Sequence, residues 1–565
     1  MSTVQKNQGY ADPSRRELLM GAVASAASAS LLSPAIASAA TAVAGQTKRL
    51  TLLHLTDTHA TLETHPEYLP GEIPEFQMMG GFARLKTAID REKSSATGPC
   101  FFLDGGDEFQ GSGPATWSKG GVIVEPLKAL GIDLYLPGNW DPVYGPERFR
   151  ELMSAIKAPV VCYNFHDRST GQPLFKQSLI LERDGVRIAV VGVTDILAST
   201  RQPPVEFAGM DTTRVDGLKQ FVQKLKATEK PDLVVAIMHT GLTISRQLAR
   251  DIPEFDVVLS GHTHERTPTP IMEGNVIVVE PGCFGSFLGR LDLVLKVGGG
   301  VASHQWTLIP VLASNYAEDG QVKQLVDEAL APYRAQMQTV VGRTQLPLFR
   351  YDVLETNADD LITDAVREIT KADVAISNGF RFGVPVLAGS VTEADLWSML
   401  PMEARMKIGW VTGKEMRDYL ENELELVYSK VPMKLSGGWG PRTSGMSITY
   451  DATQTKGNRL KSVHINGKKI GDNTRYTLAG CEGEGEPIDV VCRHKGTHDV
   501  KVLPTKLHEA LVAYFKAHPV VSPRREGRAV ALDLTPLVFS QDAVVSDGSH
   551  GSPYPGTPAP DVSQG

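Results

Sequence analysis

Short apolar runs alternate with amphipathic stretches between residues 48 and 312 of the chain. Runs of three to seven mostly apolar residues predict buried β-strands, and apolar positions at helical spacing predict helices that pack on them. Such alternation is typical of layered α/β folds. The predicted strands are Leu50–Leu55, Cys100–Leu103, Leu134–Leu136, Val160–Tyr163, Arg187–Val193, Leu233–Met238, Val257–Ser260 and Val276–Val279, and the predicted helices are Phe82–Lys93, Glu147–Ile156 and Val215–Ala227.

A helical connector is predicted over residues 315–345. Its amphipathic stretch Val322–Met337 contains Pro332. Proline lacks a backbone N–H and clashes with the preceding turn, so we expect the helix to kink or split there.

A second domain of α+β type is predicted over residues 347–538. Its helix near residue 412 starts with Thr-Gly-Lys-Glu, the pattern of a capping box. The residues beyond it, 539–565, are rich in Ser, Pro, Gly and Asp and are predicted to be disordered. The elements predicted in the second domain are helix Asp359–Thr370, strand Asp373–Ser377 and helix Thr412–Tyr428.

The first 39 residues resemble a twin-arginine export signal. The pair Arg15-Arg16 precedes a small, apolar run from Met20 to Leu32, which is followed by A-x-A sites ending near Ala39. Cleavage there would place the mature protein in the periplasm. The alternatives are a cytosolic protein with an accidental arginine pair and an uncleaved anchor. Beyond this segment, the sequence contains no apolar run long enough for a membrane span.

Net charge and cysteine content limit the kinds of partner and of structural cross-link that we expect. The net charge of −8 gives no basic footprint for nucleic acid. The five cysteines show neither a C-x-x-C motif nor a disulfide framework. Cys481 and Cys492 could form a bridge in an oxidising compartment or remain free buried thiols.

Polar side chains of metal-binding type follow five of the predicted strands. Each occurrence alone is also explained by ordinary turn chemistry or by a structural histidine. Together they supply carboxylate, amide and imidazole ligands, which suit Mn, Fe, Zn or Mg rather than a thiolate metal. In chain order these candidates are Asp57, His59, Asp107, Asn139, His239, His262 and His264.

The order D-x-H, G-D, G-N, H, G-H-x-H on strand ends resembles the calcineurin-like metallophosphoesterase superfamily, and with a second α+β domain it resembles the 5′-nucleotidase family. The resemblance implies a four-layer β-sandwich flanked by helices, a C-terminal nucleotidase-type domain and two divalent ions, expected to be Mn, with Zn or Fe as alternatives. One ion would be held by Asp57, His59, Asp107 and His264, and the other by Asp107, Asn139, His239 and His262.

The third motif, G-N at residues 138–139, departs from the corresponding motif of ordinary nucleotidases, which looks like G-N-H-[ED]-x-D. Here Trp140 and Val143 replace the His and the final Asp of that pattern, so the usual acid pair is missing. Trp140-Asp141 followed by Tyr144-Gly145 instead resembles the SoxB-type thiosulfohydrolases. Further similar segments are residues 109–117, 285–292, 377–383 and 437–440.

This resemblance makes Asn139, Trp140, Asp141 and Arg381 the candidate catalytic residues. Arg381 could clamp an oxyanion, or it could form a surface or interdomain ion pair. Trp140 could wall a substrate channel, or it could pack in the core.

Three hypotheses follow. The first is a periplasmic thiosulfohydrolase that releases sulfate from a cysteine S-thiosulfonate on the C-terminal arm of a sulfur-carrier protein. Its sulfur leaving group needs little acid help, so a missing imidazole is tolerable. The second is a 5′-nucleotidase, UDP-sugar hydrolase or other phosphoester hydrolase, although the stretch 481–492 lacks that family's G-G-D-G-[YF] loop. The third is a metal-binding or carrier-docking protein without catalysis.

Overall fold

The computed structural model describes residues 47–69, 75–351, 354–379, 382–435 and 439–532. The predicted signal segment 1–39, Arg381 and the predicted tail 539–565 lie outside the described residues. Among the residues described, no helix has the length and apolar character that crossing a membrane requires.

The first sheet has five strands and contains the strand that opens the described chain. That strand, Arg49–Leu55, is central: it pairs antiparallel with Phe287–Leu295 on one side and parallel with Cys100–Asp104 on the other. Its side chains from Leu50 onward are buried, as the continuous apolar run predicts. The strand order is Val301–Pro310, Phe287–Leu295, Arg49–Leu55, Cys100–Asp104, Leu134–Tyr135.

The second sheet has six strands, and its four central strands are parallel. All seven residues of its strand Leu233–His239 are buried. The edge strands are antiparallel to their neighbours. The strand order is Ile271–Glu273, Val276–Val279, Val257–Ser260, Leu233–His239, Val186–Thr194, Ser178–Arg183.

The two sheets pack face to face, and helices cover their outer faces. One hydrophobic cluster joins Leu52 of the first sheet to Val235 of the second and includes the helices on the outer face of the first sheet. A second cluster lies between Val234 and the helices outside the second sheet. The predicted four-layer fold is therefore confirmed. Its helices are Phe82–Ser94, Gly113–Trp117, Val124–Leu130, Pro146–Ala155, Ala198–Arg201, Leu218–Glu229, Leu242–Asp251 and Gly320–Leu330, with short 3₁₀ turns at Gly121–Ile123 and Asp141–Tyr144.

One prediction in this part of the chain was wrong, and one predicted helix begins three residues later than expected. Val160–Tyr163 is not a strand: only single bridges link Val160 to Tyr135 and Val161 to Lys176. Its burial, rather than any extended pairing, explains the apolar run. The helix predicted from Val215 begins at Leu218, because Gly217 precedes it with a left-handed φ of 83°.

The connector splits where its proline predicts. Helix Gly320–Leu330 is followed by a 3₁₀ turn, Ala331–Tyr333, and then by the short helix Arg334–Met337. Pro332 lies within that 3₁₀ turn.

A five-stranded mixed sheet forms the centre of the second α+β region. Hydrophobic clusters cover both of its faces. The helix after Thr412 carries the predicted capping box, with reciprocal bonds between Thr412 and Glu415. The strand order is Trp439–Ser444, Val374–Gly379, Arg475–Cys481, Arg405–Thr412, His498–Lys506, and the helices are Asn357–Thr370, Glu393–Met399, Gly413–Tyr428, Leu507–Ala517 and the 3₁₀ turn Pro432–Lys434.

Smaller sheets complete the described fold. Their strands are Gly389–Thr392, Val340–Thr344 and Val520–Val521; Lys468–Lys469, Leu460–Ile465, Met446–Tyr450 and Ala529–Ala531; His65–Leu69 and Glu75–Met79; and His166–Asp167 and Met210–Asp211.

Candidate dinuclear metal centre

The predicted ligands lie in loops that leave the carboxyl ends of strands in both large sheets. Five of them have left-handed backbone although none is glycine, with φ values of 51° to 81°. Such conformations are costly and are concentrated at functional sites. The five are Asp57, His59, Asp107, His262 and His264.

Glycine permits the turn that directs Asp107 toward the site. Gly106 has a φ of 90°, and a Cβ there would collide with the carbonyl oxygen of Leu136. Only glycine therefore lets the chain turn this tightly between the strand and Asp107.

Asp57, His59 and His264 form the first ligand group, with one ligand atom from each residue within 4.8 Å of the others. The Oδ1 atom of Asp57 lies 3.3 Å from Nε2 of His264 and 3.7 Å from Nε2 of His59. The two Nε2 atoms are 3.0 Å apart.

Asp107, His239 and His262 form the second group, again with one ligand atom from each residue within 4.8 Å of the others. Nε2 of His239 lies 3.1 Å from Oδ2 of Asp107 and 3.2 Å from Oδ1 of Asn139. The rings of His239 and His262 are 5.2 Å apart. The structure thus brings all seven predicted ligands into one cluster.

The two groups adjoin through a carboxylate. The resemblance made Asp107 the shared ligand, yet Oδ1 of Asp57 also lies 3.8 Å from Nε2 of His239 in the second group. The Asp57 carboxylate therefore lies between the two sets of imidazoles.

The residues fit a pair of divalent cations. Oδ1 of Asp57 is buried and has no hydrogen-bond donor among the described residues. The other oxygen of Asp57 accepts bonds from Thr56 Oγ1, at 2.6 Å, and from the backbone N–H of His262, at 2.9 Å. A buried carboxylate oxygen without a donor is costly unless a cation compensates it. The donor set of carboxylates and imidazoles suits Mn, Fe or Zn.

Backbone carbonyls orient two of the imidazoles. Nδ1 of His59 lies 2.8 Å from the carbonyl oxygen of Gln110, and Nδ1 of His239 lies 2.7 Å from that of Gly105. These hydrogen bonds direct each Nε2 atom into the cluster. Metal-bound histidines are commonly oriented in this way, by a hydrogen bond at the ring nitrogen that does not bind the metal.

The charges in the cluster shift one another's pKa. Burial lowers the pKa of His59 to about 4, and repulsion from His264 adds to the effect. Burial alone would lower the pKa of His239, but the carboxylates of Asp107 and Asp57 raise it to about 10. Burial would raise the pKa of Asp57, yet His239 and the neighbouring imidazoles hold it well below its usual range. The cluster thus couples carboxylates tightly to imidazoles.

Asp141 lies behind the cluster and is fully buried. It accepts bonds from the Tyr135 hydroxyl and the Gly138 N–H, both at 2.7 Å, and from the Glu108 N–H at 3.1 Å. Burial and repulsion from Asp107 raise its pKa to about 6. It therefore ties the loop that carries Asp107 to the loop that carries Asn139.

Trp140 lies beside the first ligand group. Its backbone N–H donates to Oδ1 of Asp107 at 2.7 Å. Its indole is 5.2 Å from the ring of His59 and 4.9 Å from Phe382, which comes from the second α+β region. Phe382 in turn lies 4.8 Å from His59. Two aromatic rings thus wall one side of the cluster.

A pocket of about 240 Å³ opens onto this cluster between the two regions of the fold. Sequence patterns missed several of its lining residues, because none of them follows a strand end of the first region in a recognisable motif. These residues are Arg201, Gln202, Glu206, Met402 and Arg493; Phe382, which also lines the pocket, lies in the segment 377–383 that the sequence singled out.

We expect Asp141→Asn to weaken divalent-metal affinity by about 10–100-fold, because an amide cannot accept from all the donors that the carboxylate holds. Isothermal titration of the purified protein with Mn²⁺ would measure this. The control is Asp184→Asn, an exposed position with a φ of 50° that asparagine readily adopts. Equal affinity in D141N and wild type would contradict the positioning role.

Comparison with known proteins places this site in a family. Residues 50–266 match the model of calcineurin-like phosphoesterases, and residues 312–482 match that of the 5′-nucleotidase C-terminal domain. Protein 5NUC of Lutzomyia longipalpis is 24% identical over 515 residues, covering 80% of this chain and 87% of that protein. Protein UshA of Escherichia coli is 24% identical over 488 residues, covering 77% of this chain and 84% of that protein.

Two solved structures from Thermus thermophilus share the fold. The sulfate thiohydrolase SoxB has a TM-score of 0.78 at 24% identity and covers 86% of this chain and 97% of its own. A 5′-nucleotidase precursor has a TM-score of 0.76 at 22% identity and covers 86% of this chain and all of its own. The chain is a metal-dependent hydrolase that belongs to the 5′-nucleotidase/calcineurin-like metallophosphoesterase superfamily.

Proposed function

We propose that this protein hydrolyses small phosphomonoesters at a two-metal site and works in the periplasm after export by the signal at residues 1–39. The observation that carries the proposal is the meeting of two three-residue ligand groups, Asp57, His59 and His264 beside Asp107, His239 and His262. The matches to the calcineurin-like phosphoesterase and 5′-nucleotidase C-terminal domain models support phosphoester chemistry over the SoxB-type reaction that the sequence motifs favoured first. The domain limits 48–312, 315–345 and 347–538 stay predictions.

When bound, a pair of divalent cations supplies Lewis acidity and acidifies a water molecule. This chain's residues hold and orient the reacting groups. The amide of Asn139 faces the second ligand group, while Trp140 and Phe382 exclude water from one side of the cluster. Mn is the metal we propose, with Zn or Fe as alternatives.

The pocket favours a small ester over a nucleotide. Its volume of about 240 Å³ is below the range of roughly 300–1,000 Å³ that is common for drug-sized ligands. Trp140 and Phe382 also pack on each other, with ring centroids 4.9 Å apart, so no slot for a base lies between them.

A thiosulfohydrolase of SoxB type is the second candidate. The feature that favours it is Trp140, which the motif resemblance puts in the place of the nucleotidase histidine; an indole cannot donate the proton that an alkoxide needs. A persulfide-type sulfur leaving group needs little such help. The substrate would be the cysteine S-thiosulfonate on the C-terminal arm of a sulfur-carrier protein. Arg381 could clamp its sulfonate in this proposal.

One set of assays separates the candidates. The mature, Mn-loaded protein would be assayed with p-nitrophenyl phosphate, glycerol phosphate, AMP, a UDP-sugar and a carrier-bound S-thiosulfonate. We expect phosphate release from the small esters, and a loss of at least about 1,000-fold in Asp107→Asn because a ligand of the second group is removed. Asp184→Asn serves as the matched control and should keep wild-type rates.

Sulfate release from the carrier without phosphate release would select the second candidate. Metal binding with neither product would contradict both and leave a protein without catalysis.

A further inference from the structure

Glu206 is a buried acid in the same pocket as the ligand cluster. It follows the turn after helix Ala198–Arg201, and its backbone N–H donates to the Pro203 carbonyl at 3.0 Å. The residue is only 3% exposed, and its Oε2 atom has no hydrogen-bond partner among the described residues. It lines the pocket together with Asn139 and Trp140. A buried, unpartnered oxygen at a substrate pocket calls for a ligand or a proton.

Acidic neighbours surround Glu206. The loop after strand Arg475–Cys481 packs on the turn, where a Cβ on Gly485 would lie 2.8 Å from Val205. Burial, followed by repulsion from Glu484 and Glu486, raises the pKa of Glu206 to about 8. The carboxyl group therefore keeps its proton at neutral pH, where an ordinary glutamate has lost it.

The arginines and histidines that line the pocket are already engaged. Arg201 pairs with Asp195, and Arg493 lies 3.2 Å from Glu423. The histidines that line the pocket in the described part of the chain are His59, His262 and His264, and all three belong to the ligand groups.

We propose that Glu206 is the general acid for the leaving group and replaces the histidine that Trp140 displaces. This inference rests on the proposed phosphoester hydrolysis. Water adds its oxygen to phosphorus and the ester P–O bond breaks. The carboxyl proton of Glu206 passes to the departing alkoxide oxygen, so that an alcohol leaves. The Glu206 carboxylate regains a proton that the attacking water gives up. General acids of this kind contribute about 10²–10⁴-fold to the rate.

Leaving-group dependence tests the inference in the Mn-loaded mature protein. Nitrophenolate leaves without a proton, whereas the alkoxide of glycerol phosphate requires one. We expect Glu206→Gln to lower kcat for glycerol phosphate by about 100-fold and kcat for p-nitrophenyl phosphate by less than about 3-fold. In wild type, kcat for glycerol phosphate should fall as pH rises through about 8, where Glu206 loses its proton. This alkaline limb should be absent for p-nitrophenyl phosphate.

Glu486→Gln is the matched control because it removes a neighbouring acid and leaves Glu206 in place. It should move the alkaline limb to lower pH and keep the wild-type preference between the two esters. An equal loss on both esters in E206Q, or a wild-type alkaline limb that is the same for both, would overturn the role of Glu206. A wild type inactive on both esters would instead refute the proposed function.

An independent observation concerns two cysteines in the wall of the same pocket. Cys481 ends strand Arg475–Cys481, and the backbone N–H of Cys492 donates to the Cys481 carbonyl at 3.0 Å. Interaction between the two thiols lowers the pKa of the Cys481 thiol and raises that of Cys492. The Cys481 thiol is thus the better nucleophile of the two, and Cys492 lies beside it.

We infer that Cys481 and Cys492 are oxidised to a disulfide that closes the loop between them. The oxidant is a disulfide of a small thiol or of a protein. The Cys481 thiolate attacks it and releases one thiol, and Cys492 then displaces the second thiol and completes the bridge. The two protein thiols are oxidised, and the oxidant disulfide is reduced to two thiols.

Peptide mapping of the full chain after incubation with oxidised glutathione tests this inference. We expect a Cys481–Cys492 cross-link, with the remaining three of the five cysteines still reactive after denaturation. In Cys492→Ser the mixed glutathione disulfide should accumulate on Cys481, whereas Cys162→Ser should leave the cross-link unchanged. Five free thiols after the incubation would overturn the inference, and this result would not bear on the hydrolase.

Discussion

A buried carboxylate surrounded by imidazoles is the constraint on which the structure depends. Oδ1 of Asp57 has no donor among the described residues, yet it lies within 3.3–3.8 Å of three imidazole nitrogens. Neither hydrogen bonds nor water satisfies such an arrangement as well as a cation does. The fold can hold it only because two sheets place their loops against each other from opposite sides.

The same arrangement explains where the backbone is strained. Left-handed φ values at non-glycine ligands cost of order 1–3 kcal/mol each. They persist because the sheets beneath are buried and Asp141 ties adjacent loops together. The free energy gained by burying the apolar core thus maintains backbone conformations in the active site that the local sequence alone would not favour.

The ligand set was predictable because its chemistry is local. Each ligand follows an apolar run, as Asp57 follows Leu50–Leu55, and carboxyl ends of neighbouring strands meet at one edge of a sheet. The capping box at Thr412 and the break at Pro332 were predictable for the same reason. Glu206 was not: its burial and raised pKa arise from a loop almost 300 residues later that packs on it, and no local pattern carries that contact. The prediction of a strand at Val160–Tyr163 was wrong because a buried segment with only isolated bridges has the same apolar pattern as a strand.

Anomalous diffraction from crystals of the Mn-loaded protein would show whether two cations lie between the sheets. We expect two peaks about 3.5–4 Å apart, one beside Asp57, His59 and His264 and the other beside Asp107, His239 and His262. A single peak at this site, or none, would contradict this expectation.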